Sequence, residues 1–134
     1  MGGNAGGTKG SRVQRKRRGS YHHGDLRRAL VDAALLLIER SGASGVTLRG
    51  AARLAGVSQT APYRHFSDKR ALLAAVAEQG FQSLSTQLRE ASASHEGDPM
   101  GRLRALGVAY VHFAQAQPSH FRVMFGPQVG DRKD

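Results

Sequence analysis

The side chains best suited to recognising another molecule stand close together in residues 46–66, VTLRGAARLAGVSQTAPYRHF. Three of them, Gln59, Thr60 and Arg64, carry groups that can contact the edges of base pairs. An amide can form two hydrogen bonds with adenine, a guanidinium can do the same with guanine, and the threonine methyl can contact the methyl of thymine. These three residues are the candidates for base recognition.

The same segment has the pattern of two short helices joined by a tight turn. Thr47 is a suitable N-cap, because its hydroxyl can accept a hydrogen bond from a free N–H at the helix start. The apolar face of the first helix consists of Leu48, Ala51, Ala52 and Ala55. Gly56 follows where the chain must turn, since glycine adopts a positive φ at little steric cost. We expect Ser58 to cap the second helix, over residues 59–65.

Two helices in this arrangement form a helix-turn-helix, whose second helix enters the major groove of DNA by its N-terminal end. The alternative is an ordinary helical hairpin, a common element of all-α proteins with no link to DNA. Pro62 would be the fourth residue of the second helix. It would remove one backbone hydrogen bond, which is a small cost in so short a helix.

The distribution of charge favours the DNA-binding interpretation. The chain of 134 residues has a formal net charge of +10. Residues 1–66 contain 12 Lys and Arg against 3 Asp and Glu, whereas residues 67–134 contain 8 against 7. Neutralisation of phosphates with release of counterions needs such a local excess of cations. We expect Arg49, on the first short helix, to reach a phosphate.

Residues 1–20 are rich in glycine and then basic, with almost nothing apolar to bury. We therefore expect a disordered basic arm. Arg17 and Arg18 in this arm are candidates for phosphate contact, and such arms can also enter the minor groove. The alternative is a solvated tail.

The composition argues against several other classes of protein. No cysteine is present, so there is no disulfide framework and no zinc–thiolate site. The histidines are not accompanied by an H-E-x-x-H motif, a nucleophile elbow or a carboxylate pair; those weighed as ligands or catalysts are His22, His23, His65, His112 and His120. We expect no enzymatic activity, no cofactor and no metal. The longest apolar run, residues 33–38, is too short to span a membrane, and no secretory signal is recognisable. A cytoplasmic protein without a membrane partner is the expectation.

Helical periodicity continues through the rest of the chain, and no strand pattern is found. We expect helices over residues 25–41, from Ser67 to about Ala93, and over residues 100–117 and 119–125. Arg27 and Arg28 would lie in the first turn of the first of these helices, where the helix dipole disfavours cations. An anionic partner nearby would compensate.

The segment GVTLRGAARLAGVSQTAPYRHFSDKRALL resembles the N-terminal DNA-binding domain of TetR-type (tetracycline-repressor-like) transcriptional regulators. The matching elements are Thr-Leu-Arg at 47–49, Ala-Gly-Val-Ser at 55–58, Tyr-Arg-His-Phe at 63–66, and Lys69 with the leucine pair at 72–73. The resemblance covers roughly residues 20–90. Ala51 and Pro62 depart from the usual pattern.

The resemblance implies an all-α fold: a three-helix bundle with the helix-turn-helix, a long connecting helix, and a partial helical regulatory domain. The DNA-binding domain would be residues 21–67, and residues 68–134 would contain the connecting helix and part of a ligand-binding and dimerisation domain. The implied phosphate contacts are Thr47, Ser58, Tyr63, His65 and Lys69. Core packing for Tyr63 and a structural role for His65 are the alternatives.

The implied function is that of a sequence-specific regulator, typically a repressor released by a small-molecule effector. The alternative is a non-specific architectural DNA-binding protein that depends on the basic arm. One short recognition helix contacts few base pairs, so we expect a palindromic operator and a homodimer. The dimer would be weak, or would form through residues 100–125. The candidates for an effector pocket, which are equally typical of plain core, are Tyr110, Phe113, Phe121 and Met124.

Overall fold

The computed structural model describes residues 23–127, and all regular structure in that range is helical. The α-helices are α1 (His23–Ser41), α2 (Leu48–Ala55), α3 (Lys69–Ala93), α4 (Pro99–Ala116) and α5 (Pro118–Met124). Two 3-10 turns, Ala43–Gly45 and Ala61–Arg64, lie before and after α2. The prediction of an all-α fold is confirmed. The arm with Arg17 and Arg18, His22 and residues 128–134 lie outside the described residues.

The first part of the chain is a bundle of α1, α2 and the beginning of α3. Its core consists of apolar side chains that are at most 2% exposed: Leu30, Ala34, Ile38, Val46, Ala51, Ala52, Phe66, Leu72, Leu73 and Val76. Complete burial of one aliphatic side chain stabilises a fold by about 1.5–3 kcal/mol, so this shared core fixes α2 relative to its neighbours.

Local hydrogen bonds define both ends of α2 and the start of α3. The Gly50 N–H donates to the Thr47 hydroxyl oxygen at 2.9 Å, which confirms the predicted N-cap. Gly56 ends α2 in the left-handed region, with φ of 70°. The first turn of α3 is capped by Asp68, whose carboxylate accepts a hydrogen bond from the Ala71 N–H at 2.8 Å.

The predicted helix over residues 59–65 is wrong, because the segment forms only the 61–64 turn. An α-helix capped by Ser58 would need an N–H at position 62 to bond the Ser58 carbonyl, and Pro62 has none. The Ala61 N–H donates to that carbonyl instead, at 3.1 Å, which gives 3-10 spacing. The predicted cap is also wrong: the Ser58 hydroxyl lies 3.4 Å from the Thr60 hydroxyl and bonds no helix N–H.

The second part of the structure forms where α4 and α5 pack on α3. Its buried side chains include Leu84 on α3, Phe113 on α4, and Val123 and Met124 on α5. Gly80 marks a close approach of α3 and α5, since an added Cβ would lie 2.5 Å from the Met124 Sδ. Across residues 23–127, no helix is long and apolar enough to cross a membrane.

Candidate nucleic-acid interface

The segment after Gly56 exposes its polar side chains and buries its apolar ones. Ser58, Gln59 and Thr60 are exposed, whereas the next two residues, Ala61 and Pro62, are buried. The buried pair anchors the segment to the core. The leading end of the 61–64 turn is therefore free to approach another molecule with an amide and two hydroxyl groups.

The residues at the C-terminal end of this turn are likewise either exposed or buried according to their type. Tyr63 is 57% exposed and Arg64 is exposed, while Phe66 is only 2% exposed. The exposure of Tyr63 agrees with a contact role better than with core packing. His65 is half-buried, and its ring centroid lies 6.3 Å from that of Phe66.

The turn is closed by two hydrogen bonds to the Pro62 carbonyl. The N–H groups of His65 and Phe66 both donate to this oxygen, at 3.0 and 2.9 Å. The proline ring fixes φ at Pro62, and the carbonyl oxygen of Pro62 accepts two hydrogen bonds. Both features restrict the backbone of the turn. The predicted base-reading residues, Gln59, Thr60 and Arg64, are thus exposed in or next to a turn whose backbone is held by hydrogen bonds.

The predicted phosphate-contacting residues occupy several elements around this segment. Thr47 is exposed but already accepts the capping bond, so its hydroxyl hydrogen remains for another acceptor. Arg49 is exposed in the first turn of α2.

A contact that the sequence pattern could not reveal involves Lys69. Its ammonium donates to the Ser44 carbonyl at 3.0 Å, which joins the start of α3 to the 43–45 turn. An ammonium has three hydrogens, so two remain for a second partner. Lys69 thus has a structural role in addition to any contact with phosphate.

The charge of this region is entirely positive. Residues 46–67 contain three arginines and no aspartate or glutamate. One of the three, Arg53, is exposed in the last turn of α2 and was not among the predicted contacts. The absence of acidic residues from residues 46–67 was the signal that could have identified it.

The four candidates for an effector pocket differ in burial. Phe113 has no exposed surface and Met124 is buried, so both belong to the core between α3, α4 and α5. The Tyr110 and Phe121 rings meet edge to face, with centroids 5.8 Å apart. A groove of about 420 Å³ between α3 and α4 is lined by other residues, namely Phe81, Leu84, Ser85, Leu88, Arg89, Ser92 and Leu106. The effector pocket stays a prediction.

Two further polar contacts connect α5 and the residue before it, Gln117, with α3. The His120 Nε2 lies 2.9 Å from the Gln79 Oε1, and Gln117 donates to the Ser83 hydroxyl at 3.4 Å. Desolvation by burial lowers the pKa of His120 below its ordinary value, and the Asp32 carboxylate opposes this effect. Among residues 23–127, no three His, Asp or Glu side chains gather where they could hold a metal ion.

The segment that contains this site matches a known protein family. Residues 30–76 match the family described as bacterial regulatory proteins, tetR family. Residues 30–76 are a TetR-family N-terminal domain. The matched range extends from the middle of α1 through α2 and the 61–64 turn into α3.

Curated relatives of this TetR-family domain are transcriptional regulators. The chain is 35% identical over 92 residues to the HTH-type transcriptional regulator BetI of Paraburkholderia phymatum, covering 68% of this chain and 47% of BetI. It is 33% identical over 82 residues to the HTH-type transcriptional regulator AcrR of Shigella flexneri, covering 61% of this chain and 38% of AcrR. The chain thus spans about half or less of the length of these relatives.

Solved structures share the fold beyond the TetR-family domain. A protein with unknown function from Rhodococcus sp. RHA1 superposes with a TM-score of 0.69 at 41% identity, over 83% of this chain and 61% of that one. The TetR family transcriptional regulator PfmR from Thermus thermophilus superposes with a TM-score of 0.60 at 22% identity, over 71% and 51%. The likeness to PfmR concerns the fold alone.

Proposed function

We propose that the protein is a sequence-specific DNA-binding transcriptional regulator, and more narrowly a repressor released by a small-molecule effector. The observation that carries this proposal is the separation of exposed polar side chains from buried apolar ones within residues 58–64. Polar side chains face outward at the leading end of the 61–64 turn, while Ala61 and Pro62 hold that turn on the core. The names of the curated relatives support a regulator rather than an enzyme.

The roles of individual residues follow from their chemistry and position. Gln59, Thr60 and Arg64 read base edges in the major groove. Phosphate contacts fix the register of the protein on the duplex without reading sequence. The proposed phosphate contacts are Thr47, Arg49, Ser58, Tyr63, His65 and Lys69, together with Arg17 and Arg18 of the arm.

The proposed division of labour places DNA binding in residues 21–67 and regulation in residues 68–134. In the second part, α3 connects the DNA-binding bundle to α4 and α5, and an effector pocket would involve Tyr110, Phe113, Phe121 and Met124. Because a single 61–64 turn contacts few base pairs, the protein acts as a homodimer on a palindromic operator with half-sites one helical turn (about 34–36 Å) or more apart.

The proposal is tested by selecting bound sites from a pool of random DNA. We expect a palindromic consensus, and we expect its complex to survive competition by random DNA at moderate salt, since specific binding typically exceeds non-specific binding by about 10³-fold or more. If the selection enriches no sequence, and if binding to all sequences weakens equally as the salt concentration rises, the protein would instead be an architectural DNA-binding protein.

A further inference from the structure

Arg27 on α1 contacts two other elements of the DNA-binding bundle. Its guanidinium carbon lies 5.5 Å from the centroid of the Phe66 ring, and its Nη2 lies 3.9 Å from the Glu78 Oε2 on α3. Since α1 begins at His23, two residues earlier than expected, Arg27 lies in the second turn and away from the unfavourable end of the dipole. Glu78 is the acidic residue paired with Arg27.

The contact with Phe66 matters because this residue is hydrogen-bonded to the 61–64 turn. Its N–H donates to the Pro62 carbonyl at 2.9 Å, and its ring is almost completely buried. A displacement of Phe66 would therefore move Pro62, and with it the exposed side chains at the leading end of the turn. The Arg27 guanidinium packs on the Phe66 ring.

Glu78, the acidic residue next to Arg27, lies on a helix that also contacts the regulatory part. The next residue on α3, Gln79, is the hydrogen-bond partner of His120 on α5. Arg27, Glu78 and Gln79 line one cleft of about 220 Å³ between α1 and α3, and the exposed Arg28 lines it as well.

We infer that Arg27 is a positioning residue for DNA recognition: its guanidinium, held by Glu78, fixes Phe66 and thereby the orientation of the 61–64 turn. The inference rests on the proposed function, since its readout is affinity for the selected operator. It differs from a phosphate contact, in which Arg27 would act on DNA directly and Glu78 would only oppose binding.

The charge of Glu78 makes the two roles distinguishable. General electrostatics predicts that removal of a carboxylate strengthens binding to DNA, because it raises the positive charge of the protein. Positioning predicts the opposite for Glu78→Gln, because Arg27 loses the partner that orients it. Glu78 is largely exposed, so this variant retains the fold.

The experiment measures operator affinity of the full chain across a range of salt concentrations for Arg27→Gln, Arg27→Lys, Glu78→Gln and the double variant Arg27→Gln/Glu78→Gln. We expect about two- to fivefold weaker binding for Arg27→Gln, which corresponds to the strength of an exposed cation–π contact. We expect an unchanged salt slope, partial recovery in Arg27→Lys, and weaker binding in Glu78→Gln. The double variant should resemble Arg27→Gln alone.

Two matched controls separate position from charge. Arg28→Gln removes the same charge from the neighbouring residue, and Glu39→Gln removes an exposed carboxylate elsewhere on α1. We expect Arg28→Gln to weaken binding to the operator less than Arg27→Gln does, because it loses only the general effect of one charge, and we expect Glu39→Gln not to weaken it. Thermal unfolding of every variant shows whether a loss of affinity reflects a loss of folded protein.

Three results would overturn the inference. One is unchanged affinity in Arg27→Gln, another is stronger binding in Glu78→Gln, and the third is a salt slope reduced by about one unit in Arg27→Gln, as expected when a phosphate-binding cation is removed. Failure of the proposed function looks different, because the wild-type protein would then prefer no sequence at all.

Discussion

Some side chains in this protein make contacts only with residues nearby in the sequence, whereas others make contacts that exist only in the complete fold. The cap at Thr47 and the left-handed Gly56 involve residues only a few positions apart, and both were predicted from the sequence. The Lys69 bond to Ser44 spans 25 positions, and only the packed bundle brings its two ends together. The pair of His120 and Gln79 spans 41 positions, and local sequence patterns were equally unable to predict it.

The lowered pKa of His120 predicts a pH dependence of stability. A histidine whose pKa is depressed by folding contributes stability above its ordinary value of 6.5, and this contribution is lost as the pH falls through the lowered folded value. We expect the free energy of unfolding of the wild type to decline from pH 7.5 to pH 5, and we expect a smaller decline in His120→Gln. Urea unfolding at several pH values measures both.

The exposed His112 on α4 provides the control for this prediction. His112→Gln should leave the pH dependence of the wild type intact. An identical pH dependence in the wild type and in His120→Gln would mean that other groups control it.

The helices themselves were predicted to within a few residues, because their apolar residues recur at helical spacing. The 61–64 turn was the exception. Its composition resembles a helix, but the missing N–H of Pro62 changes the hydrogen-bond pattern to 3-10. Gln59 and Thr60 are nevertheless exposed, as a role in base recognition requires. The roles of these residues on DNA stay predictions.

Replacement of Pro62 should lengthen the recognition element. In Pro62→Ala the Ser58 carbonyl gains an N–H partner at position 62, so we expect the backbone chemical shifts of residues 59–65 to move towards helical values. The buried proline side chain is lost at the same time, and we expect a stability loss of about 1–3 kcal/mol. Nuclear magnetic resonance and urea unfolding measure the two effects separately. Shifts that stay at their wild-type values would show that tertiary contacts, rather than Pro62, impose the 3-10 geometry.

The crossing of α3 and α5 gives a second prediction about packing, with a matched control on α4. An added methyl group at Gly80 would lie 2.5 Å from the Met124 Sδ and 3.3 Å from the His120 Cβ, whereas at Gly107 nothing lies within 4 Å. Gly107→Ala should stabilise the protein by about 0.4–1 kcal/mol through its helix propensity. Gly80→Ala should destabilise it by about 1 kcal/mol, since Met124 must move. Equal changes in the two melting temperatures would show that Met124 adapts without cost.

Across the whole chain, charge and apolar surface are distributed unevenly. The basic excess lies in residues 1–66, together with all the predicted contacts to DNA except Lys69. The second part of the structure leaves apolar side chains on α4 at least half exposed: Met100, Leu103, Val108 and Val111. Composition alone predicted the first of these features. It did not predict the second, because helical spacing identifies an apolar residue without showing which neighbour covers it.

The uneven charge makes two contributions to the proposed DNA binding distinguishable, namely general attraction to phosphates and recognition of bases. Residues 1–19 carry six of the lysines and arginines, so their deletion should weaken binding to every sequence and reduce the salt slope by roughly 0.9 unit for each phosphate that is no longer neutralised. Gln59→Ala removes no charge, so the salt slope should persist while the preference at one base pair relaxes by about 1–3 kcal/mol. The salt slope and the base preference are both measured from binding isotherms on the selected operator and on single-base variants of it, at several salt concentrations. If the deletion changed base preference as strongly as Gln59→Ala does, the arm itself would read sequence, and recognition would not be confined to the segment around the 61–64 turn.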